Sequence, residues 1–119
     1  MRGRAGVTAD DVREYVADLP RSYEVFVRGR WKFRVGQIVW IAFSKDETLM
    51  GFAFPKEERR MLVETEPDKF MYPRESDMRF NWVVARLDRL ERQEMQEYVF
   101  DAWRMVVPKF LAAEVTRLR

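Results

Sequence analysis

The sequence contains no cysteine and no histidine. The absence of cysteine excludes disulfide bonds, thiolate metal ligands and cysteine nucleophiles, and the absence of histidine excludes imidazole ligands and histidine-based triads. Carboxylates, lysine, tyrosine and hydroxyl groups remain as reactive side chains. Because the commonest catalytic groups are missing, we expect a protein that is not an enzyme and that carries no metal or other cofactor.

The sequence also lacks long hydrophobic runs. No apolar stretch approaches the roughly 18 residues that a membrane-spanning helix needs, and no apolar segment follows Arg2 and Arg4 as a signal peptide requires. Hydrophobic residues make up 47% of the 119 residues and charged residues 35%, a balance typical of a folded domain. We therefore expect a single domain over residues 1–119, cytoplasmic and without membrane contact.

The segment from Tyr23 to Phe54 predicts four short antiparallel strands joined by tight turns. Gly29-Arg30 and Gly36-Gln37 each place glycine first in a two-residue loop, which is the order of a type II′ turn. If both turns are tight, Phe33 lies opposite Trp40 in the next strand.

That register divides the strands between two faces of the sheet. The predicted core face is rich in large aromatic side chains and comprises Phe26, Arg28, Trp31, Phe33, Val35, Ile38, Trp40 and Ala42. The opposite face mixes apolar side chains with two cations and comprises Val25, Val27, Lys32, Arg34, Val39, Ile41 and Phe43.

Capping residues and prolines predict the helices. Thr8 as N-cap with Asp11 at the third helical position predicts a helix over about residues 9–18. Pro55 begins a second helix, and residues 80–87 form a fifth strand. A staple of Leu90 and Met95 with Glu94 at the third helical position predicts a further helix, which stops or kinks at Pro108, where a final short helix to Val115 can begin. Residues 68–71 are predicted as a turn or short helix. The order α-β-β-β-β-α-β-α indicates an α+β fold, an antiparallel sheet of about five strands with helices packed on it.

Five strings occur in an order and spacing that resemble the MmcQ/YjbR family: FRVGQIVW, DETLMGFAFPKEER, EPDKFMYP, FNWVVARL and DAWRMVVPK. The resemblance covers about residues 10–115, and its best marker is Asp101–Arg104 followed by Pro108-Lys109. It implies a small bacterial protein with a compact frataxin-like, double-wing fold. It also implies a DNA-binding protein of unspecified role, and it supplies no catalytic residues.

The candidate nucleic-acid-binding residues are the cations of the first two strands, Arg28, Arg30, Lys32 and Arg34. They can form a wing that contacts phosphates, with Arg30 at a turn tip. They can equally be a solvated strand edge where positive charge prevents aggregation. Together with the resemblance, this cluster makes a non-catalytic DNA-binding protein our leading expectation.

The alternative is a protein–protein interaction module or homodimer. The mixed face places Val25, Val27, Ile41 and Phe43 beside Lys32 and Arg34, and an apolar face of this size should be covered. A second copy, a nucleic acid or the chain's own segment after Pro108 would each cover it.

Two further groups of residues have a structural and a functional interpretation. The tryptophans Trp31, Trp40, Trp82 and Trp103 can stack on bases, but their periodicity favours core packing, with Trp103 half-buried. The charged segment 72–79 offers Arg74 and Arg79 to phosphate, although a solvated loop with local ion pairs is favoured.

Overall fold

Six β-strands and four α-helices make up the computed structural model, which describes residues 6–119. The strands are β1 (Ser22–Val27), β2 (Arg30–Val35), β3 (Ile38–Phe43), β4 (Leu49–Ala53), β5 (Phe70–Met71) and β6 (Trp82–Arg86). The helices are α1 (Ala9–Val16), α2 (Lys56–Thr65), α3 (Arg92–Val106) and α4 (Lys109–Leu118). The strands form one antiparallel sheet in the order β1-β2-β3-β4-β6-β5. The predicted α+β fold is confirmed, with one more strand than expected.

The additional strand is β5, in the segment for which the sequence predicted a turn or short helix. Phe70 is 1% exposed and pairs with Ala85 of β6. Two residues are too few to show the alternation by which a strand is recognised. The burial of Phe70 and its pairing with a distant strand therefore decide the local conformation.

The helix starts follow the predicted capping chemistry. The Thr8 hydroxyl accepts a hydrogen bond from the Asp11 amide (3.2 Å), and the Asp11 carboxylate accepts one from the Thr8 amide (2.9 Å). The backbone hydrogen bond from Thr8, followed by the contact with Arg92, lowers the pKa of Asp11. Helix α3 begins with the same reciprocal arrangement between Glu91 and Glu94.

The two predicted hairpin turns have different outcomes. Gly36-Gln37 is confirmed as a two-residue loop, with Gly36 at φ 58°. The first loop is Arg28-Gly29 instead of Gly29-Arg30, and both of its residues have positive φ (55° and 79°), which indicates a type I′ turn. The observed pairing between β1 and β2 differs from the predicted pairing by two residues. Each side chain of these strands therefore keeps its predicted face.

A β-bulge in β3 changes the faces of the residues that follow it. Arg34 pairs with Val39, but Phe33 pairs with Ile41, so Trp40 is an extra residue without a partner in β2. Trp40 and Ile41 are both fully buried as a result. The prediction that Phe33 lies directly opposite Trp40 was therefore wrong, although their rings remain 6.3 Å apart.

The bulge corrects three assignments in β3. Ile41 and Phe43, predicted on the mixed face, are 0% and 1% exposed within the core, whereas Ala42, predicted in the core, lies opposite Lys32 on the other face. An extra residue in one strand reverses the alternation of every residue after it. Phe26 and Trp31 keep their predicted face but are 58% and 39% exposed at its edge.

Helix α3 covers the apolar face of the sheet above β3 and β4. It contributes buried residues to the core, namely Met95, Val99, Phe100, Ala102 and Trp103. Trp103 was expected to be half-buried, but it is fully buried and its indole N–H donates to the Pro20 carbonyl (2.9 Å).

Helix α4 packs beside α3 and leaves the second face of the sheet uncovered. The Arg119 guanidinium lies 3.9 Å from the ring centroid of Phe100 in α3 and 5.5 Å from that of Tyr15 in α1. The segment after Pro108 is therefore not the cover for the second face. Within residues 6–119, no helix is both long and apolar enough to cross a membrane.

Arg59 of α2 holds the segment before β6 in place through hydrogen bonds. It is 6% exposed, and its guanidinium donates to the carbonyls of Met78, Phe80 and Trp82 at 2.8–3.1 Å. We predict that Arg59→Met lowers the free energy of unfolding by at least about 2 kcal/mol, because the carbonyls lose a charged donor. Urea denaturation measures the change.

The matched control is Arg60→Met, one residue along the same helix. The Arg60 side chain is 81% exposed and pairs with Glu64 at the next helical turn. This substitution should cost less than about 0.5 kcal/mol. Equal losses for the two variants would contradict the anchoring role of Arg59.

Candidate nucleic-acid interface

The face of the sheet opposite α3 is here called the open face, and its centre is a groove of about 760 Å³. Small residues of β3 and β4 form its floor, namely Ala42, Gly51 and Ala53. The last turn of α3 reaches one end of the groove through Met105 and Val106. The groove exists because these three positions at the middle of the sheet carry small side chains or none.

Gly51 also makes room for a tryptophan. A Cβ atom at this position would lie 2.5 Å from Nε1 of Trp82, so the indole rests directly against the Gly51 backbone. The small residues of β4 accommodate Trp82 of β6, whereas Trp40 of β3 is buried in the core.

Three of the four predicted cations lie together on the open face. Arg30, Lys32 and Arg34 alternate along β2, so their side chains leave the same face about 7 Å apart. Arg30 and Lys32 line the groove. Arg28 is separate from them, since it occupies the exposed turn between β1 and β2. Arg30, expected at the turn tip, is the first residue of β2.

Among residues 6–119, the three cations have no acidic partner, since no carboxylate oxygen in this range lies within 4.0 Å of Arg30, Lys32 or Arg34. Nε of Arg34 is also buried without a hydrogen-bond acceptor in that range. A buried donor without a partner is unfavourable, and an anionic ligand would relieve it.

Two cations elsewhere in the fold, Arg13 and Lys69, contrast with these three. Arg13 binds the carboxylates of Asp10, Glu24 and Glu47 at 2.7–3.1 Å. Lys69 binds those of Glu94 and Glu66 at 2.9 and 3.1 Å, and these hydrogen bonds raise the pKa of Lys69 above its usual range. These two clusters connect helices, strands and turns, and their positive charges are already neutralised.

The segment from Tyr72 to Asn81 forms the far wall of the groove. Tyr72 and Phe80 line it and are 40% and 49% exposed. Arg74 also lines it, but its guanidinium pairs with Asp77 at 3.1 Å. The predicted local ion pair of this loop is thus present. The role of the segment as a wall was not predicted, because it depends on the distant Arg59.

Compared with the predicted mixed face, the open face has the same cations but lacks the two largest apolar residues, Ile41 and Phe43. Val25 and Val27 remain on the open face, half-buried on β1. The four tryptophans lie in three different environments. Trp40 and Trp103 are core residues, Trp82 lies in the groove and Trp31 is exposed at the edge of the sheet. Among residues 6–119, no three side chains form a cluster suited to a metal ion.

A family model described as YjbR matches residues 17–105. This chain belongs to the YjbR family. The matched range contains all six strands, and hence the complete open face of this YjbR domain. No curated protein shows significant sequence similarity to the chain.

A solved structure shares the fold of this YjbR domain. The crystal structure of a Deinococcus radiodurans protein with the family-model domain DUF419 superposes with a TM-score of 0.72 at 20% identity. The match covers 82% of this chain and 77% of that one. At this identity the likeness concerns the fold, and function has to be argued from the residues of the groove.

The contact between Gly51 and Trp82 gives a prediction about the floor of the groove. In Gly51→Ala the new methyl group displaces the indole, so we expect a clear shift of the Trp82 indole N–H resonance in an NMR spectrum. We also expect a loss of about 1–3 kcal/mol of stability from overpacking.

Gly36→Ala is the control, because its new Cβ would meet no atom within 4 Å. That variant should lose about 1–2 kcal/mol from its left-handed backbone and leave the Trp82 resonance in place. An unmoved indole resonance in Gly51→Ala would show that the two residues do not touch.

Proposed function

We propose that this YjbR domain binds DNA, without catalysis, through the open face of its sheet. The observation that supports this proposal is the row of three cations on β2, Arg30, Lys32 and Arg34, for which residues 6–119 supply no acidic partner. Phosphate groups are the natural partners of such a row, because binding them releases counterions from the nucleic acid. The groove beside the row leaves space for the rest of the ligand.

The geometry of β2 favours a chain of phosphate groups over a single small anion. Side chains about 7 Å apart on one strand cannot all contact one small ion, but each can contact a different group of a linear polyanion. Two of the three cations are arginines, whose planar guanidinium binds phosphate through two parallel hydrogen bonds. Arg28, at the adjoining turn, would extend the row toward one end.

Charge reversal tests the proposal. Three phosphate contacts predict that the logarithm of the binding constant falls with the logarithm of salt concentration with a slope of about −2 to −3. In Arg30→Glu combined with Lys32→Glu, we expect at least a tenfold loss of affinity and a slope smaller by about 2. Fluorescence anisotropy of a labelled oligonucleotide, titrated at several salt concentrations, measures both quantities.

The control applies the same change of charge to another part of the domain. Arg60→Glu combined with Arg117→Glu alters two exposed side chains of α2 and α4 that lie outside the groove. It should leave the slope close to that of the wild type. If both double variants weaken binding equally, or if the wild type fails to bind at low salt, the proposal is wrong.

A homodimer is the second candidate, and the edge of the sheet is a better site for its contact than the open face. β1 is an edge strand, and the turn at Arg28-Gly29 makes Val27 and Arg30 a hydrogen-bonded pair. The backbone groups of Glu24 and Phe26 therefore point away from the sheet. Beside them, the exposed rings of Phe26 and Trp31 lie 4.9 Å apart. Such an edge can pair with a second copy.

Sedimentation velocity tests this second candidate. A register centred on Val25 places Glu24 opposite Phe26 of the second copy and keeps the two glutamates apart. Wild type should then sediment as a dimer and Phe26→Lys as a monomer. A monomeric wild type would exclude the dimer.

A further inference from the structure

We infer that the DNA bound in this groove is single-stranded, with its phosphates along β2 and its bases turned onto the groove floor. The inference rests on the proposed function and adds the form of the nucleic acid. It is carried by the shape of the groove, the aromatic side chains of its far wall and the position of the cations relative to both.

The shape of the groove suits unpaired bases. Its floor of Ala42, Gly51 and Ala53 is recessed, and its volume of about 760 Å³ falls within the range of clefts that enclose small organic molecules. A duplex keeps its bases stacked inside and presents only their edges in its grooves. Only a base outside a duplex can enter a recess of this kind.

The far wall supplies surfaces for stacking. Tyr72 and Phe80 are partly exposed beside the groove, and the indole of Trp82 lies across the floor at Gly51. Aromatic side chains beside a cationic track are the combination that binds single strands without sequence preference. A surface that contacts a duplex through phosphates alone would gain nothing from these rings.

The cations and the aromatic residues lie on opposite sides of the floor. β2 and β6 are separated by three inter-strand spacings, about 14 Å, with β3 and β4 between them. Arg30 and Lys32 line the groove on its β2 side. A width of this size suits a layer of bases between the phosphates and the aromatic residues of the far wall, and it is too narrow for a duplex.

A comparison of two ligands tests the inference. A labelled oligothymidine and a duplex of the same length are titrated by fluorescence anisotropy at the same salt concentration. We expect the single strand to bind at least about tenfold more tightly. Equal or tighter binding of the duplex would overturn this inference and leave the proposed function standing. Binding of neither ligand at low salt would refute the proposed function itself.

Variants of the groove supply a second test. Tyr72→Ala and Phe80→Ala should each weaken oligothymidine binding about fivefold or more, with an unchanged salt slope because the phosphate contacts remain. Ala42→Phe, which fills the floor, should do the same. Phe110→Ala removes a 68% exposed ring of α4 outside the groove and should have no effect. Wild-type affinity in all three groove variants would overturn the inference.

Discussion

The β-bulge at Trp40 is the constraint on which the two faces of this sheet depend. Without an extra residue, the tight turn at Gly36-Gln37 would place Ile41 and Phe43 beside Lys32 and Arg34. With it, Trp40 and Ile41 both enter the core, and Ala42 takes the position opposite Lys32. The bulge therefore separates a largely apolar face, covered by α3, from an open face that carries cations and small residues.

The open face acquires its groove from residues that are far apart in the sequence. The floor needs the small side chains of β3 and β4, and Gly51 is required because Trp82 occupies the space of a side chain. The far wall needs Arg59, whose three hydrogen bonds hold residues 78–82 against α2. The positions of the cations on this face require only the alternation of side chains along β2. The proposed binding of DNA on this face thus depends on packing as much as on charge.

The sequence predicted the features that are decided locally. Helix starts follow from Thr8 with Asp11 and from Glu94 at the third position of α3, and the row on β2 follows from simple alternation. The bulge escaped prediction because Trp40 and Ile41 are both apolar, so either register buries a plausible residue. The first turn was misplaced because Arg28 adopts a left-handed conformation that a sequence normally reserves for glycine or asparagine. β5 and the far wall of the groove were not predicted, because contacts between residues far apart in the sequence determine both.

The most direct test of this account is an NMR titration of the ¹⁵N-labelled domain with oligothymidine. The account predicts that shift changes concentrate on the amides of β2, β4 and β6, on residues 72–81 and on the indole N–H of Trp82. The amides of α1 and α4 and the indole of Trp103 should remain unchanged. Changes centred on the helices, with an unaffected β2, would contradict the division of the sheet into a packed face and a binding face.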